Sequence, residues 1–181
     1  EDMEFENYTI KAQEALQQAQ HIAQDNQHQA IECTHLLKGI FATDEHVLPF
    51  IMKRQSVNDS HVRAALDQML ARLPKVDGGD IYLSRDAADA LKKAQSFLKD
   101  FGDEYVALEH LLLGLIHSGK EVGRLLKDAG MSEKEVMEAI KDLRKGAKVQ
   151  SKSAEDSYRA LEKYAIHLNK SAESGKLDPV I

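Results

Sequence analysis

The sequence predicts an all-α protein: two tandem four-helix repeats related by a pseudo-twofold axis, then a linker and one further helix. Three observations carry this reading. The first is an internal repeat at a fixed offset of 75 residues. Ala12, Ala15, Leu16, Ala19, Gln20 and Asp25 fall on Ala87, Ala90, Leu91, Ala94, Gln95 and Asp100. Further on, His35, Leu36, Leu37, Gly39 and Val47 fall on His110, Leu111, Leu112, Gly114 and Val122. These are 11 identities in 43 ungapped pairs, from Thr9/Ser84 to Ile51/Leu126, a register too long for chance similarity between helices. The second is apolar spacing by threes and fours, the period of a helix with one buried face. The third is composition: only three prolines and ten glycines among 181 residues rich in Ala, Leu, Gln, Glu and Lys.

Each element can be justified in order. Thr9 and Ser84 are N-cap residues, because a side-chain oxygen can accept from the free amides of the first turn. Behind Ser84 the stripe Ala87, Leu91, Ala94, Leu98 and Phe101 defines one long first helix, and Ala12, Leu16, Ala19 and Ala23 repeat it in copy one. Small residues dominate both stripes, so the two first helices are expected to approach each other closely. Second helices are expected over about 34–42 and 109–117, short third helices over 46–53 and 121–128, and fourth helices over 59–72 and 133–145. Ser132 with Glu135 has the spacing of a capping box before the last of these.

Between the copies, residues 73–80 (LPKVDGGD) are rich in helix breakers and read as a surface connection. The partition is therefore a double-repeat domain over 3–146, with copies at about 8–73 and 83–146, and a polar linker over 147–153. A final helix over about 154–172 carries Tyr158, Leu161, Ala165 and Leu168 on one face, ending at Gly175. A native start is expected at Met3, with Glu1 and Asp2 as an addition.

Composition also excludes function classes. With 43% hydrophobic and 30% charged residues the chain is ordinary for a soluble domain. A formal charge of −6 disfavours nucleic acid, whose phosphates need a basic face. The one basic run, Lys141, Arg144, Lys145, Lys148 and Lys152, sits at a helix end, where cations suit the dipole and solvent. Cys33 stands alone, so no internal disulfide is possible, and no apolar run is long enough to span a membrane. The cytoplasm is the expected compartment.

No catalytic constellation emerges. Residues 114–120 (GLIHSGK) match the glycine and lysine spacing of a phosphate loop, but Glu121 stands where Ser or Thr must hold magnesium. Gly119 reads better as the end of a helix. His110 and His117 lie two turns apart without a metal-ligand motif. His35 and His110 share one place in the two copies, where a ring bonded to nearby backbone would pin the turn. Cys33 matches apolar Leu108 and reads as a small buried hydrophobe. What remains is surface. Ile22 and Phe97 match across the repeat and either line a groove or seal the contact between copies. Tyr105 and Val106, flanked by Asp103 and Glu109, extend an apolar strip suited to an extended peptide.

Several segments carry a resemblance to a known family. They are Tyr8 to Leu16 (YTIKAQEAL), Thr34 to Leu37 (THLL), Leu108 to Leu115 (LEHLLLGL) and Leu73 to Gly79 (LPKVDGG). The tail adds Leu161 to Ile166 (LEKYAI) and Gly175 to Ile181 (GKLDPVI). Together they resemble the amino-terminal repeat domain of the Clp ATPases, in their disaggregase branch. The resemblance implies a non-catalytic role: the fragment, monomeric by itself, would catch unfolded or aggregated polypeptide for a longer protein. That protein would be a homohexameric AAA+ ATPase using ATP and magnesium, working with DnaK-type chaperones, and 154–181 would begin its first AAA+ module. This fragment would bind no cofactor, metal, nucleic acid or membrane. Family positions for substrate contact fall on Thr9, Asp103 and Glu109, with apolar positions at Leu91 and Phe97. The alternative is an adaptor-docking domain of a protease-coupled unfoldase. Relatives of that kind carry Glu before His in both copies, for phosphorylated arginine. Copy one has Thr34 before His35, and only copy two has Glu109, which favours the disaggregase branch.

Overall fold

A computed structural model describes residues 5–158. The first copy comprises α1 (Ile10–Asp25), β1 (Ala30–Ile31), α2 (Cys33–Thr43), α3 (Val47–Arg54) and α4 (Asp59–Ala71). The second comprises β2 (Tyr82–Leu83), α5 (Arg85–Ser96), α6 (Leu98–Phe101), α7 (Leu108–Ser118), α8 (Glu121–Asp128) and α9 (Glu133–Arg144). The protein is mostly helical, and the expected four-helix order recurs in each copy. Thr9 and Ser84 cap α1 and α5 as their chemistry requires, each oxygen accepting the N–H three residues on at 3.1 Å.

The close approach expected of the small-residue stripes is made to the second helix of the same copy, not between the two first helices. Ala12, Ala15, Ala19 and Ala23 are buried along α1, and Ala87, Ala90 and Ala94 along α5. Against them stand Gly39 of α2 and Gly114 of α7, where an added Cβ would collide with the carbonyl oxygens of Ala15 and Ala90. The second helix of each copy is thus the buried centre of the molecule, with Leu37, Leu112, Leu113 and Leu115 essentially inaccessible. One continuous core joins both copies.

Two features depart from the expected elements. The first helix of copy two is not continuous: α5 ends at Phe97, and α6 is a separate turn. The Ser96 hydroxyl donates to the Lys93 carbonyl, and Gly102 at φ 67° closes the turn in the left-handed region. The second departure is a short parallel pairing of β1 with β2, Ala30 opposite Tyr82 and Ile31 opposite Leu83. An isolated parallel bridge joins Tyr8 to Val106. Shifted by 75 residues, Leu83 becomes Tyr8 and Ile31 becomes Val106. Each copy's leading segment therefore pairs with the other copy's loop before its second helix. The pseudo-twofold is built from this reciprocal exchange.

The polar stretch expected as a linker does not run free. Val149 is fully buried, its N–H donates to Asp103 Oδ1 at 2.9 Å, and its carbonyl accepts from Glu104 N–H at 2.8 Å. The Lys152 carbonyl accepts from Ile10 N–H at 2.8 Å. A helical turn over 154–158 follows, with Ala154, Glu155 and Tyr158 buried against the repeats. Leu161, Ala165 and Leu168 of the expected final helix lie outside the described residues.

Candidate functional site

Two places on the molecule combine chemistry with access or charge: a groove beside β2, and a buried polar cluster beneath the chain's return at 149–158.

The groove encloses about 1050 Å³. One wall is α1, presenting Gln13, Leu16, Gln17 and Gln20, and the other is the leading segment of copy two, Ile81, Tyr82 and Leu83. Ile31 and Leu36 belong to its apolar floor, and Phe5 and Lys152 stand at one end. Tyr82 is 56% exposed, unusual for a large ring. The pairing of β2 with β1 uses Tyr82 N–H, donated to the Gln29 carbonyl, and Ser84 N–H, donated to that of Ile31. Alternate backbone groups, at Ile81 and Leu83, point away from β1 and leave an edge open to another extended chain. Deeper between the copies, four symmetry-related pairs line a small apolar gap: Ala15/Ala90, Leu16/Leu91, Leu36/Leu111 and Ile40/Leu115.

The polar cluster centres on Arg144, at the end of α9. Its Nε donates to Glu109 Oε2 at 3.0 Å and its Nη1 to Asp103 Oδ2 at 2.8 Å, all three side chains being almost wholly buried. Its guanidinium also lies 4.8 Å over the Phe101 ring. Burial opposes its charge, yet Glu109, Tyr158 and Asp103 raise its pKa above the usual range. Burial likewise pushes Asp103 up, but the bonds from His110, Val149 and Arg144 prevail and hold its carboxyl below the usual range. Next to this pair stands Glu155. Its Oε2 accepts from the Thr9 hydroxyl at 2.6 Å and from Leu108 N–H at 3.3 Å.

The repeated histidines do the same work in both copies. Glu32 N–H donates to His35 Nδ1, and Ala107 N–H to His110 Nδ1, each at 2.8 Å. The Nε2 proton is thereby directed at a group seven residues earlier: His28 at 2.9 Å in copy one, Asp103 at 2.7 Å in copy two. Burial, followed by the neighbouring His28, lowers His35 to about 4. The thiol of Cys33 is pushed up to about 12, first by burial, which disfavours a thiolate nucleophile. In the phosphate-loop lookalike, Gly114 sits inside α7 against α5, and no strand precedes it. Those residues do not fit a nucleotide phosphate.

None of the six residues singled out from the sequence lines the groove. Thr9, Asp103 and Glu109 are brought together in the polar cluster, buried and already bonded. Leu91 lies in the gap between the copies, and Phe97 is 4% exposed with Lys93 Nζ 5.2 Å above its ring. Tyr105 is half-buried at the edge of the core. Ile22, matched with Phe97, is half-buried. Two residues that matter were missed. Arg144 read as one cation of a solvated run, although it closes a buried pair, and Glu155 was hidden in a polar tail. The groove wall at Gln13, Gln17 and Gln20 carried a faint signal: three glutamines on one face of α1, where carboxylates and lysines are more usual.

The fold is a double helical repeat, and comparison with known proteins places it. The profile of the Clp repeat (R) N-terminal domain matches residues 7–129. The chain belongs to this family. The chaperone protein ClpB of Bacteroides thetaiotaomicron is 50% identical over 179 residues, covering 99% of this chain and 21% of that protein. The ClpB of Porphyromonas gingivalis is 44% identical with the same coverage. The chain thus spans about one fifth of the length of these relatives. The Hsp104 N-terminal domain of Candida albicans has the same fold, with a TM-score of 0.73 and 23% identity over 82% of this chain and 99% of that one. Among the described residues no helix is long and apolar enough to cross a membrane.

Proposed function

We propose that this chain is the client-capturing, non-catalytic N-terminal domain of a ClpB-type protein disaggregase in the cytoplasm. It holds unfolded or aggregated polypeptide weakly, so that an ATP- and magnesium-dependent ring can thread the client. The ring is a homohexamer partnered by DnaK-type chaperones, and the nucleotide belongs to a part of the protein other than these repeats. On the same reading, residues 154–181 begin its first AAA+ module. The relatives named ClpB support this reading over 99% of the chain.

One observation carries the site: the groove beside β2, with an apolar floor, amide-rich walls and an open strand edge. An extended client segment adds to that edge by main-chain hydrogen bonds, which every sequence offers. Its apolar side chains drop toward Leu16, Ile31 and Leu36. Glutamine walls accept and donate without selecting a charge, which suits a domain that must take many clients. Ordering a disordered client opposes binding, so affinities are expected in the millimolar to micromolar range, about −4 to −8 kcal/mol.

Titration with an unfolded model protein, followed by amide chemical shifts, tests the assignment. Shifts are expected at Gln17, Gln20, Tyr82 and Leu83, and Tyr82→Ser should weaken capture several-fold while the fold persists. An unchanged affinity in that variant, or shifts confined to other faces, would remove the groove from the mechanism. A single folded partner bound tightly and stoichiometrically would instead favour adaptor docking.

A further inference from the structure

The return of the chain over 149–158 ties both copies together. Val149 bonds to residues 103 and 104 of copy two, Lys152 bonds to Ile10 of copy one, and Glu155 joins Thr9 to Leu108 across the seam. At its buried end the charges do not balance. Arg144 supplies one positive charge, and both of its bonded nitrogens are committed to Glu109 and Asp103. Among the described residues Glu155 is bonded by no cation, only by the Thr9 hydroxyl and backbone amides, and its Oε1 has no hydrogen-bond partner. Glu109 Oε1, the Tyr158 hydroxyl and Arg144 Nη2 are equally unbonded among the described residues.

We propose that residues 149–158 are a proton-linked strap: Glu155 is neutral when the strap lies across the two copies, and its ionisation lifts it. The groups facing Glu155 are few. Glu109 comes from α7, with His110 one residue on and turned to Asp103. Asp103 comes from the loop before α7, Arg144 from the end of α9, and Tyr158 from the strap itself. Asp44 bears on Glu109 from the start of α3, and α1 contributes only the neutral Thr9 hydroxyl. Lys152 and Asp156 of the strap are exposed and screened by solvent. Within this set a second carboxylate beside Glu109 has no counter-charge, so a proton is the available remedy.

Burial, then the neighbouring Glu109, raises Glu155 from 4.5 to about 7, against the smaller opposing effects of the Thr9 and backbone bonds. The sign follows from linkage. A carboxyl whose docked pKa is raised favours docking fully below its free value of 4.5 and loses that contribution as pH rises through about 7. Between about 4.5 and 7 the docking equilibrium falls by up to tenfold per pH unit, and above 7, with Glu155 ionised in both states, it levels off. Lifting the strap uncovers Thr9, the N-terminus of α7 and Val149. The device requires nothing about what the groove holds.

The test uses the whole chain with two readouts. Glutamate side-chain carboxyl carbons, followed by NMR between pH 3 and 9, should show Glu155 titrating near 7. A midpoint near its ordinary value overturns the proposal. Hydrogen exchange at the Ile10 and Val149 amides, corrected for intrinsic rates, should lose protection between about pH 4.5 and 7 and level off above 7. In Glu155→Gln, a neutral isostere, that pH dependence should vanish. The same slope in Glu155→Gln, or flat protection in the unaltered chain, would sink the strap as a switch. If Glu155→Gln docks poorly, the carboxyl titration still decides.

Discussion

Arg144 shows how far a single side chain can be from what its neighbours in sequence suggest. It stands in a basic run, but the turn of α9 that exposes Lys141 points Arg144 inward, onto Asp103 and Glu109. Removing it strands two carboxylates in a water-poor interior, whereas an exposed lysine leaves nothing unpaired. Arg144→Ala should therefore destabilise the domain by about 3–5 kcal/mol in urea unfolding, and Lys141→Ala by less than about 0.5 kcal/mol. Equal effects would mean that the buried pairs contribute no more than solvated charge. The same residue marks a limit of reading. Helical period assigns a face only when apolar residues outline it, and Arg144 is a cation on the apolar face beside Ile140 and Leu143. Its buried partners lie 35 and 41 residues away, beyond any local signal. His35 and His110 were legible because the repeat displayed them twice, in a setting where only a backbone bond recurs.

At the scale of elements, the repeat made the four-helix order readable, but the small-residue stripes pack each first helix on the second helix of its own copy rather than on the other first helix. Gly39 and Gly114 give that contact its distance. Both lie in mid-helix, where glycine is otherwise unfavourable relative to alanine, so their presence needs a packing reason. The reason is the carbonyl of Ala15 or Ala90 lying where a Cβ would be. Gly39→Ala and Gly114→Ala should each lower stability by about 1–3 kcal/mol, despite the better helix propensity of alanine. Thermal unfolding of the two variants checks this, and a rise in either midpoint would show that the helices can part without penalty. The strands were not legible. Two residues cannot establish an alternating pattern, and β1 and β2 are specified only by where the helices bring them. The break at Phe97 was hidden for a related reason: Leu98 and Phe101 continue the helical period although the backbone has turned. That turn sets Phe97, which the sequence left either lining a groove or sealing the contact between copies, into the core.

For the whole molecule, the duplication suggests two bundles, while the pairing makes them one. Tyr8 meets Val106 and Leu83 meets Ile31, so neither copy completes its own leading segment. The gap lined by Ala15, Leu16, Leu36, Ile40 and their four counterparts places each copy's second helix against the other's surface. A copy that unfolded alone would leave its sister with an unpaired strand and exposed leucines, a state with little to favour it over complete unfolding. The copies are therefore expected to unfold as one cooperative unit. Native-state hydrogen exchange can measure this at Leu37 in α2 and Leu112 in α7, equivalent and fully buried positions. Their opening free energies should agree, and both should equal the global value from denaturant unfolding. A gap above about 1 kcal/mol would mean that the copies open separately, and the groove between α1 and β2, which takes one wall from each, would then lose its shape whenever either copy did.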